Sequence, residues 1–144
     1  MSYPDQRSTI LNELRAAQGR HDGWLPPEAL QEVAEELDLA PAQVAAVASF
    51  YDMLHLGPVG RHMVEVCTNV SCALVGAQQV LERFEQELGV PAGETTADGE
   101  VTLRAIECLG GCGWATIVSV DHHYRTHVKP DDVAGIVQEL RDGD

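Results

Sequence analysis

The four cysteines of the chain lie in two short loops, and their spacing restricts the fold more than any other feature. Cys67 and Cys72 enclose four residues, Cys108 and Cys112 enclose three, and residues 73–107 separate the two pairs. Each loop is short enough to direct two sulfurs towards one site, and the intervening segment has room for one helix and one strand. The sequence therefore predicts a small metal centre built from two thiol pairs.

Disulfide bonds are an alternative use of the same cysteines. They suit oxidising compartments, but residues 1–5 (MSYPD) lack the basic stretch and apolar run of a signal peptide. We therefore expect a cytoplasmic protein in which the thiols stay reduced.

A structural zinc ion and a [2Fe-2S] cluster are two centres that four thiolates hold. A [2Fe-2S] cluster prefers loops with several free backbone N–H groups, and Gly110, Gly111 and Gly113 allow that close approach around Cys112. A Rieske centre needs two histidines among the cysteines, and neither loop contains one. The loops favour iron–sulfur, with a zinc-stabilised interaction module as the alternative.

The charge of the chain limits its partners. Its 23 acidic and 9 basic residues give a formal charge of −14, which repels nucleic acids and anionic membrane surfaces. No apolar run approaches the roughly 20 residues that a membrane span requires. We expect a soluble chain that binds other proteins and does not insert into a membrane.

Hydrophobic periodicity divides the chain near residues 56–60. Upstream, residues 1–57 show helical periodicity in three stretches and are predicted to form three short helices. The apolar positions of the three helices are, in order, Ile10, Leu14 and Ala17; Leu30, Val33, Ala34 and Leu37; and Val44, Val47, Ala48 and Tyr51. Downstream, residues 61–144 form the predicted cysteine-bearing domain. A helical segment of this size is marginal alone and is expected to pack on a neighbour.

The second domain has the predicted order β-α-β-β-β-α. A strand over residues 63–66 enters Cys67, a helix runs from near Cys72 to Gly89 with Leu74 on its apolar face, and a strand over 101–107 enters Cys108. A hairpin over 115–120 and 124–128 and a helix after Pro130 complete the order. Because a right-handed crossover makes the first two strands parallel, both cysteine loops should leave the same edge of one sheet.

Aromatic and histidine residues outside the cysteine set are expected to have structural roles or to be solvated. We expect Trp114 to pack over the metal centre and exclude water, and Phe50 and Tyr51 to pack in the core. His122 and His123 are expected to be solvated in the hairpin turn.

Several stretches resemble one family, the thioredoxin-like [2Fe-2S] subunit of respiratory complex I, known in bacteria as the E subunit of NADH:quinone oxidoreductase. Related subunits occur in NAD-linked hydrogenases and formate dehydrogenases. The stretches are residues 66–72 (VCTNVSC), Gly76, residues 93–99 (GETTADG), residues 107–113 (ECLGGCG) and the helical segment 27–51. The resemblance covers nearly the whole chain and implies an α+β or α/β fold, with the three-helix segment followed by a thioredoxin-like [2Fe-2S] domain.

The resemblance also implies a site and a function. Cys67 and Cys72 are expected to hold one iron of a [2Fe-2S] cluster, and Cys108 and Cys112 the other. The implied partner is a flavoprotein subunit that binds FMN and NADH, with which this chain exchanges single electrons. The chain has no G-x-G-x-x-G loop after a strand, so we expect no NADH oxidation by it alone.

The resemblance leaves a choice between host assemblies, and the sequence departs from the family at one point. We favour complex I, with an NAD-dependent hydrogenase or formate dehydrogenase as the alternative, and a location in the cytoplasm or on the cytoplasmic face of the membrane through the complex. The family often has Ala-Pro after the last cysteine, whereas this chain has Trp114, Ala115 and Thr116. The usual proline is therefore missing, which changes the surface offered to a partner.

Overall fold

A computed structural model describes residues 9–143. Residues 1–8 and Asp144 lie outside the described part. The expectation about a signal peptide concerns residues 1–5 and therefore falls outside the described residues. The chain forms two compact units, of which the first ends at Val59 and the second begins at Gly60.

Residues 9–59 of the first unit form three α-helices, as predicted. They are α1 (Ile10–Arg20), α2 (Pro27–Glu36) and α3 (Pro41–Phe50). A proline opens α2 and α3, where its fixed φ suits the first turn and no N–H is needed. The helices pack on a shared core that includes Leu14, Val33 and Val44.

The prediction that Phe50 and Tyr51 pack in a core is wrong. Both side chains are exposed at the end of α3, and their rings contact each other edge to face with centroids 5.1 Å apart. The helical period ends at Ala48, so the two aromatic residues fall beyond the buried stripe.

The second unit is built on a four-stranded mixed sheet. Its strands are β1 (His62–Cys67), β2 (Val101–Ile106), β3 (Val118–Val120) and β4 (His123–Arg125), in the spatial order β2-β1-β3-β4. Strands β1 and β2 are parallel and in register from their first to their last residues, so Cys67 lies beside Ile106. Strand β3 is antiparallel to β1, and β4 is antiparallel to β3. The predicted order of the strands along the chain and the parallel pairing of the first two are confirmed.

Three helices accompany the sheet: α4 (Val70–Leu74), α5 (Ala77–Leu88) and α6 (Val133–Asp142). Alternate residues of the strands, among them Val64, Val66 and Leu103, pack against α5 and α6. Phe84 of α5 is fully buried at the centre of this core. Strands β1 and β2 pack in the largest apolar core of the unit, and this core holds in place the sheet edge from which the cysteine loops leave.

The single helix predicted from near Cys72 to Gly89 is in fact two helices. Gly76 lies between α4 and α5 with φ of +102°, in the left-handed region that favours glycine. Leu74, which was predicted to lie on the apolar face of one long helix, precedes this break and is 82% exposed.

The remaining elements differ from the prediction mainly in length. The hairpin strands β3 and β4 have three residues each, with Asp121 and His122 between them at positive φ. A 3₁₀ turn at Pro130–Asp132 precedes α6. Within residues 9–143, no helix is long and apolar enough to cross a bilayer.

Candidate metal centre

The first cysteine loop (residues 67–72) is anchored to two neighbouring strands. The Cys67 N–H donates to the Ile117 carbonyl at 3.1 Å, immediately before β3. The backbone N–H and the hydroxyl of Thr68 both donate to the Ile106 carbonyl, at 2.9 and 3.1 Å. The backbone at Cys67 and Thr68 is therefore held from both sides.

The short helix α4 carries the second thiol of this loop. Asn69 caps the helix, because its side-chain oxygen accepts a hydrogen bond from the Val70 N–H at 2.9 Å. Cys72 lies in the middle of α4 and is 1% exposed, and Cys67 is 3% exposed. Together with Ala77 and Ile117, the two cysteines form a small apolar cluster.

The surroundings of Cys72 shift the pKa of its thiol. Burial raises the pKa of the Cys72 thiol above its ordinary value, and a hydrogen bond from the Ile117 N–H to the sulfur opposes this. Contact with Cys67 and proximity to Cys112 raise the pKa of Cys72 further. Cys67 therefore lies within hydrogen-bonding range of Cys72, and Cys112 lies near enough to act on Cys72 electrostatically.

The second cysteine loop (residues 108–112) follows the end of β2 and is more open. Cys108 and Cys112 are both exposed. The Gly110 N–H donates to the Cys108 sulfur at 3.3 Å, and Gly110 has a φ of +75°. Cys112 begins a 3₁₀ turn that ends at Trp114. The positive φ of Gly110 forms the turn of this loop, and Leu109 packs against the apolar cluster of the first loop.

Ile117 links the two loops, and sequence reasoning missed it. Its carbonyl and N–H bond Cys67 and Cys72 in the first loop. On the other side, a Cβ added to Gly111 would lie 2.8 Å from the Ile117 Cγ1. A side chain larger than hydrogen at Gly111 would therefore separate the second loop from the first. Ile117 lies in an apolar stretch that predicted a strand, and nothing in that stretch distinguishes it from its neighbours.

The prediction that Trp114 packs over the metal centre and excludes water is wrong. The Trp114 side chain is 62% exposed, and its backbone N–H donates to the Gly111 carbonyl at 2.9 Å. Val70, Leu74 and Val75, on and next to α4, are also exposed. These apolar side chains therefore lie at the surface, as Cys108 and Cys112 do. His122 and His123 are exposed, as predicted.

The thiols converge on one edge of the sheet but not on a single point. Among residues 9–143, no three His, Cys, Asp or Glu side chains come close enough to hold one metal ion. A structural zinc ion needs four ligands around one point, whereas a two-iron cluster needs two thiolates at each of two irons.

Comparison with known proteins identifies the family. A sequence model of the thioredoxin-like [2Fe-2S] ferredoxins matches residues 1–141. The chain belongs to the thioredoxin-like [2Fe-2S] ferredoxin family. The resemblance found in the sequence is thereby confirmed, and the family implies a [2Fe-2S] cluster.

Two relatives of this ferredoxin are named as E subunits of NADH-quinone oxidoreductase. The one from Mycobacterium tuberculosis (strain ATCC 25618 / H37Rv) is 42% identical over 139 residues, which are 96% of this chain and 55% of the relative. The one from Rhizobium meliloti (strain 1021), numbered 2 in its name, is 39% identical over 139 residues, or 96% of this chain and 82% of the relative. The chain thus spans about half the length of the mycobacterial relative.

A solved structure shares the fold of this ferredoxin. The NAD+-reducing [NiFe]-hydrogenase in the H2-reduced state matches with a TM-score of 0.82 and 19% identity, over 94% of this chain and 23% of the hydrogenase chain. At this level of identity, the likeness concerns the fold alone.

The residues of the site suit the cluster that the family implies. Thiolates are the usual ligands of iron–sulfur clusters, and the four cysteines lie in loops at the carboxyl ends of adjacent parallel strands. Backbone N–H groups of Gly110 and Ile117 already donate to cysteine sulfurs, one in each loop. Such hydrogen bonds stabilise the negative charge that four thiolates and two sulfides bring to a site.

Proposed function

We propose that this ferredoxin is the [2Fe-2S] electron-transfer subunit of an NADH:quinone oxidoreductase and exchanges single electrons with the FMN of an NADH-binding partner subunit. The observation that carries the proposal is the pair of cysteine loops at one sheet edge, in a chain 39% identical over 96% of its length to a protein named as a component of such an enzyme. NADH and FMN are assigned to the partner.

The ligands are assigned by loop. Cys67 and Cys72 hold one iron and Cys108 and Cys112 hold the other. The contact between Cys67 and Cys72 supports the first pair, and the three-residue spacing in a glycine-rich loop supports the second. The closeness of Cys72 and Cys112 supports a common centre for both pairs.

When bound, a [2Fe-2S] cluster accepts and releases one electron at a time. The residues of the chain give the site two unlike sides. On one side, Cys67, Cys72 and Ile117 exclude water, because all three are buried. On the other side, Cys108 and Cys112 lie at the protein surface, where a partner can approach. Electron exchange with the flavoprotein is therefore assigned to the side of the second loop.

The surface beside the cysteines suits contact with a protein. Val70 and Leu74 flank Cys72 by two residues, Trp114 follows Cys112 by two, and all three side chains are exposed. Exposed apolar groups that lie close together mark interaction sites, and aromatic residues are frequent anchors. Docking here would exclude water from the open side of the site and shorten the distance to the flavin.

Metal analysis is the first test. Protein purified without oxygen from iron-replete cells should contain about two irons and two acid-labile sulfides per chain, with a visible spectrum that bleaches on addition of dithionite. A zinc-stabilised interaction module would contain stoichiometric zinc without labile sulfide, and that result would refute the proposal.

Reduction by NADH is the second test. NADH should leave the purified chain oxidised, and it should reduce the chain once an NADH-binding flavoprotein subunit of an NADH:quinone oxidoreductase is added. Leu74→Glu and Trp114→Glu should weaken binding of that flavoprotein. Tyr124→Glu is the matched control, because Tyr124 is an exposed aromatic residue on β4, at the outer edge of the sheet. Rapid NADH oxidation by the chain alone contradicts the proposal.

A further inference from the structure

Thr116 has a buried hydroxyl that nothing in the described part of the chain satisfies. The residue is 1% exposed, and its Oγ1 has no hydrogen-bond partner among residues 9–143. Thr102, which is also buried, shows the usual situation: its hydroxyl accepts from the Gly60 N–H at 2.6 Å and shares a hydrogen bond with the Thr95 hydroxyl at 2.7 Å. Buried hydroxyls are rarely left unpaired, because desolvation without a new bond costs stability.

The neighbours of Thr116 belong to the metal centre. Ala115 packs against the apolar cluster that contains Cys67 and Cys72. The N–H of Ile117, whose nitrogen is bonded to the Thr116 carbonyl carbon, donates to the Cys72 sulfur. Covalent geometry therefore keeps the Thr116 hydroxyl within about 8 Å of that sulfur.

The backbone around Thr116 fixes its position. The Thr116 carbonyl accepts a hydrogen bond from the Val128 N–H at 3.1 Å, and the Ile117 carbonyl accepts from the Cys67 N–H at 3.1 Å. The segment thus has two main-chain anchors, and the hydroxyl cannot find a partner by moving the chain. A group that completes the site can supply the acceptor.

We propose that the Thr116 hydroxyl donates a hydrogen bond to a sulfur atom of the [2Fe-2S] cluster and raises its reduction potential. The proposal rests on the proposed function, since it requires the cluster. Addition of one electron makes the cluster more negative, so a donor close to its sulfur stabilises the reduced form more than the oxidised form. Thr116 is then a residue that tunes the potential and is not an iron ligand.

The test compares side chains that differ in the hydroxyl. Thr116→Val keeps the branched shape and removes the donor, and Thr116→Ser keeps the donor. Both variants should retain the iron and sulfide content of the wild type. In a redox titration with dithionite, Thr116→Val should lower the equilibrium constant for reduction about tenfold, which is about 59 mV for a one-electron couple. Thr116→Ser should remain close to the wild type.

A spectroscopic readout separates the hydrogen bond from a structural role. Electron–nuclear double resonance of the reduced protein should detect an exchangeable proton, lost in D2O, in the wild type and Thr116→Ser and not in Thr116→Val. If Thr116→Val loses its cluster, Thr116→Ser and Thr116→Ala provide the same comparison. The proposal is overturned if Thr116→Val and Thr116→Ser have equal potentials and equal proton signals. The same holds for Thr116→Ala and Thr116→Ser where Thr116→Val loses its cluster.

The two proposals fail in different ways. A wild-type protein without iron and sulfide overturns the proposed function and this inference together. A wild-type protein with a cluster whose potential does not respond to the hydroxyl overturns this inference alone.

Discussion

The first and second cysteine loops leave neighbouring parallel strands, but the fold holds them to different extents. Cys67 and Cys72 are buried in an apolar cluster, between a strand end and a capped helix. Cys108 and Cys112 are exposed in a loop whose regular structure is a single 3₁₀ turn. One half of the ligand set is thus part of the protein core, and the other half lies at the surface.

This difference assigns separate tasks to the loops. Burial of the Cys72 thiol raises its pKa and favours its neutral form, so a metal must displace a proton from a site that the fold has already shaped. The thiols of the second loop are exposed, so their positions depend less on burial in the fold. We therefore expect substitutions in the first loop to act through stability and packing, and substitutions in the second loop to act through metal binding.

The largest expected effect comes from replacing single thiols with hydroxyls. Cys72→Ser places an oxygen in a buried pocket that is sized for sulfur, and we expect less than roughly a tenth of the wild-type iron and sulfide to remain. Cys108→Ser lies in an exposed loop that can adjust to a shorter metal–oxygen bond. We expect it to keep roughly half or more of the cluster, with altered spectra. Iron and sulfide analysis with visible absorption measures both.

Alanine variants at the same positions are the control. Cys72→Ala and Cys108→Ala should both lose the cluster, because the chain has no fifth cysteine. Equal cluster content in Cys72→Ser and Cys108→Ser would mean that burial does not distinguish the loops.

Thiol reactivity in the metal-free, reduced protein gives the next largest effect. Iodoacetamide should modify the exposed Cys108 and Cys112 rapidly, and the buried Cys67 and Cys72 on the order of 100-fold more slowly, because reaction there requires local opening. Peptide mass spectrometry over time measures each site. Similar rates at all four thiols would contradict the structural difference.

The raised pKa of Cys72 adds a pH dependence with a definite sign. The folded protein holds the thiol proton to higher pH than the unfolded chain, whose thiol has the ordinary pKa of 9.0. The stability that this proton contributes is present below pH 9 and is lost as the pH rises through the folded-state pKa. In urea unfolding of the metal-free protein, the free energy of unfolding should decline above pH 9, and Cys72→Ala should remove this decline.

Most of the scaffold could be predicted from the sequence because its signals are local or topological. Alternating apolar residues predicted β1 and β2, and the intervening helix required a crossover that makes them parallel. The position of both cysteine loops at one edge followed from that pairing. The division of the long helix at Gly76 was missed, because Leu74 continues the apolar period across a glycine that begins a new helix.

The unequal burial of the cysteine loops could not be predicted from their spacing. Both loops show the same pattern, a strand followed by two thiols, and burial depends on what the rest of the chain packs against them. Ile117 contacts both loops from a segment that is distant from Cys67 in sequence. The unpaired hydroxyl of Thr116 within residues 9–143 likewise becomes visible only when the three-dimensional neighbours are known.

A smaller effect is expected where the two loops meet. Gly111→Ala would place a Cβ 2.8 Å from the Ile117 Cγ1, and overpacking of this kind costs about 1–3 kcal/mol. Gly113→Ala is the matched control in the same loop region, because its Cβ would meet nothing within 4 Å. We expect Gly111→Ala to lower the cluster content and the urea midpoint relative to Gly113→Ala. Equal behaviour of the two variants would mean that Ile117 does not fix the distance between the loops.

The smallest effect is expected at the cap of α4. Asn69→Ala removes the acceptor of the Val70 N–H and should cost about 0.5–1 kcal/mol. A helix of five residues has little stability of its own, so its position depends on the cap and on burial of Cys72. The second loop has no side-chain cap to lose, since Gly111 precedes its 3₁₀ turn.

Loss of the Asn69 cap should therefore make the first loop behave more like the second. In metal-free Asn69→Ala, amide exchange in α4 and alkylation of Cys72 should accelerate by about two- to fivefold, which is the factor that corresponds to a loss of about 0.5–1 kcal/mol. Asn69→Ser, which retains an acceptor, should stay close to the wild type. Unchanged exchange in α4 with faster alkylation would indicate that burial by Ile117 and Ala77, and not the helix, protects Cys72. In that case the distinction between the loops depends on the apolar cluster alone.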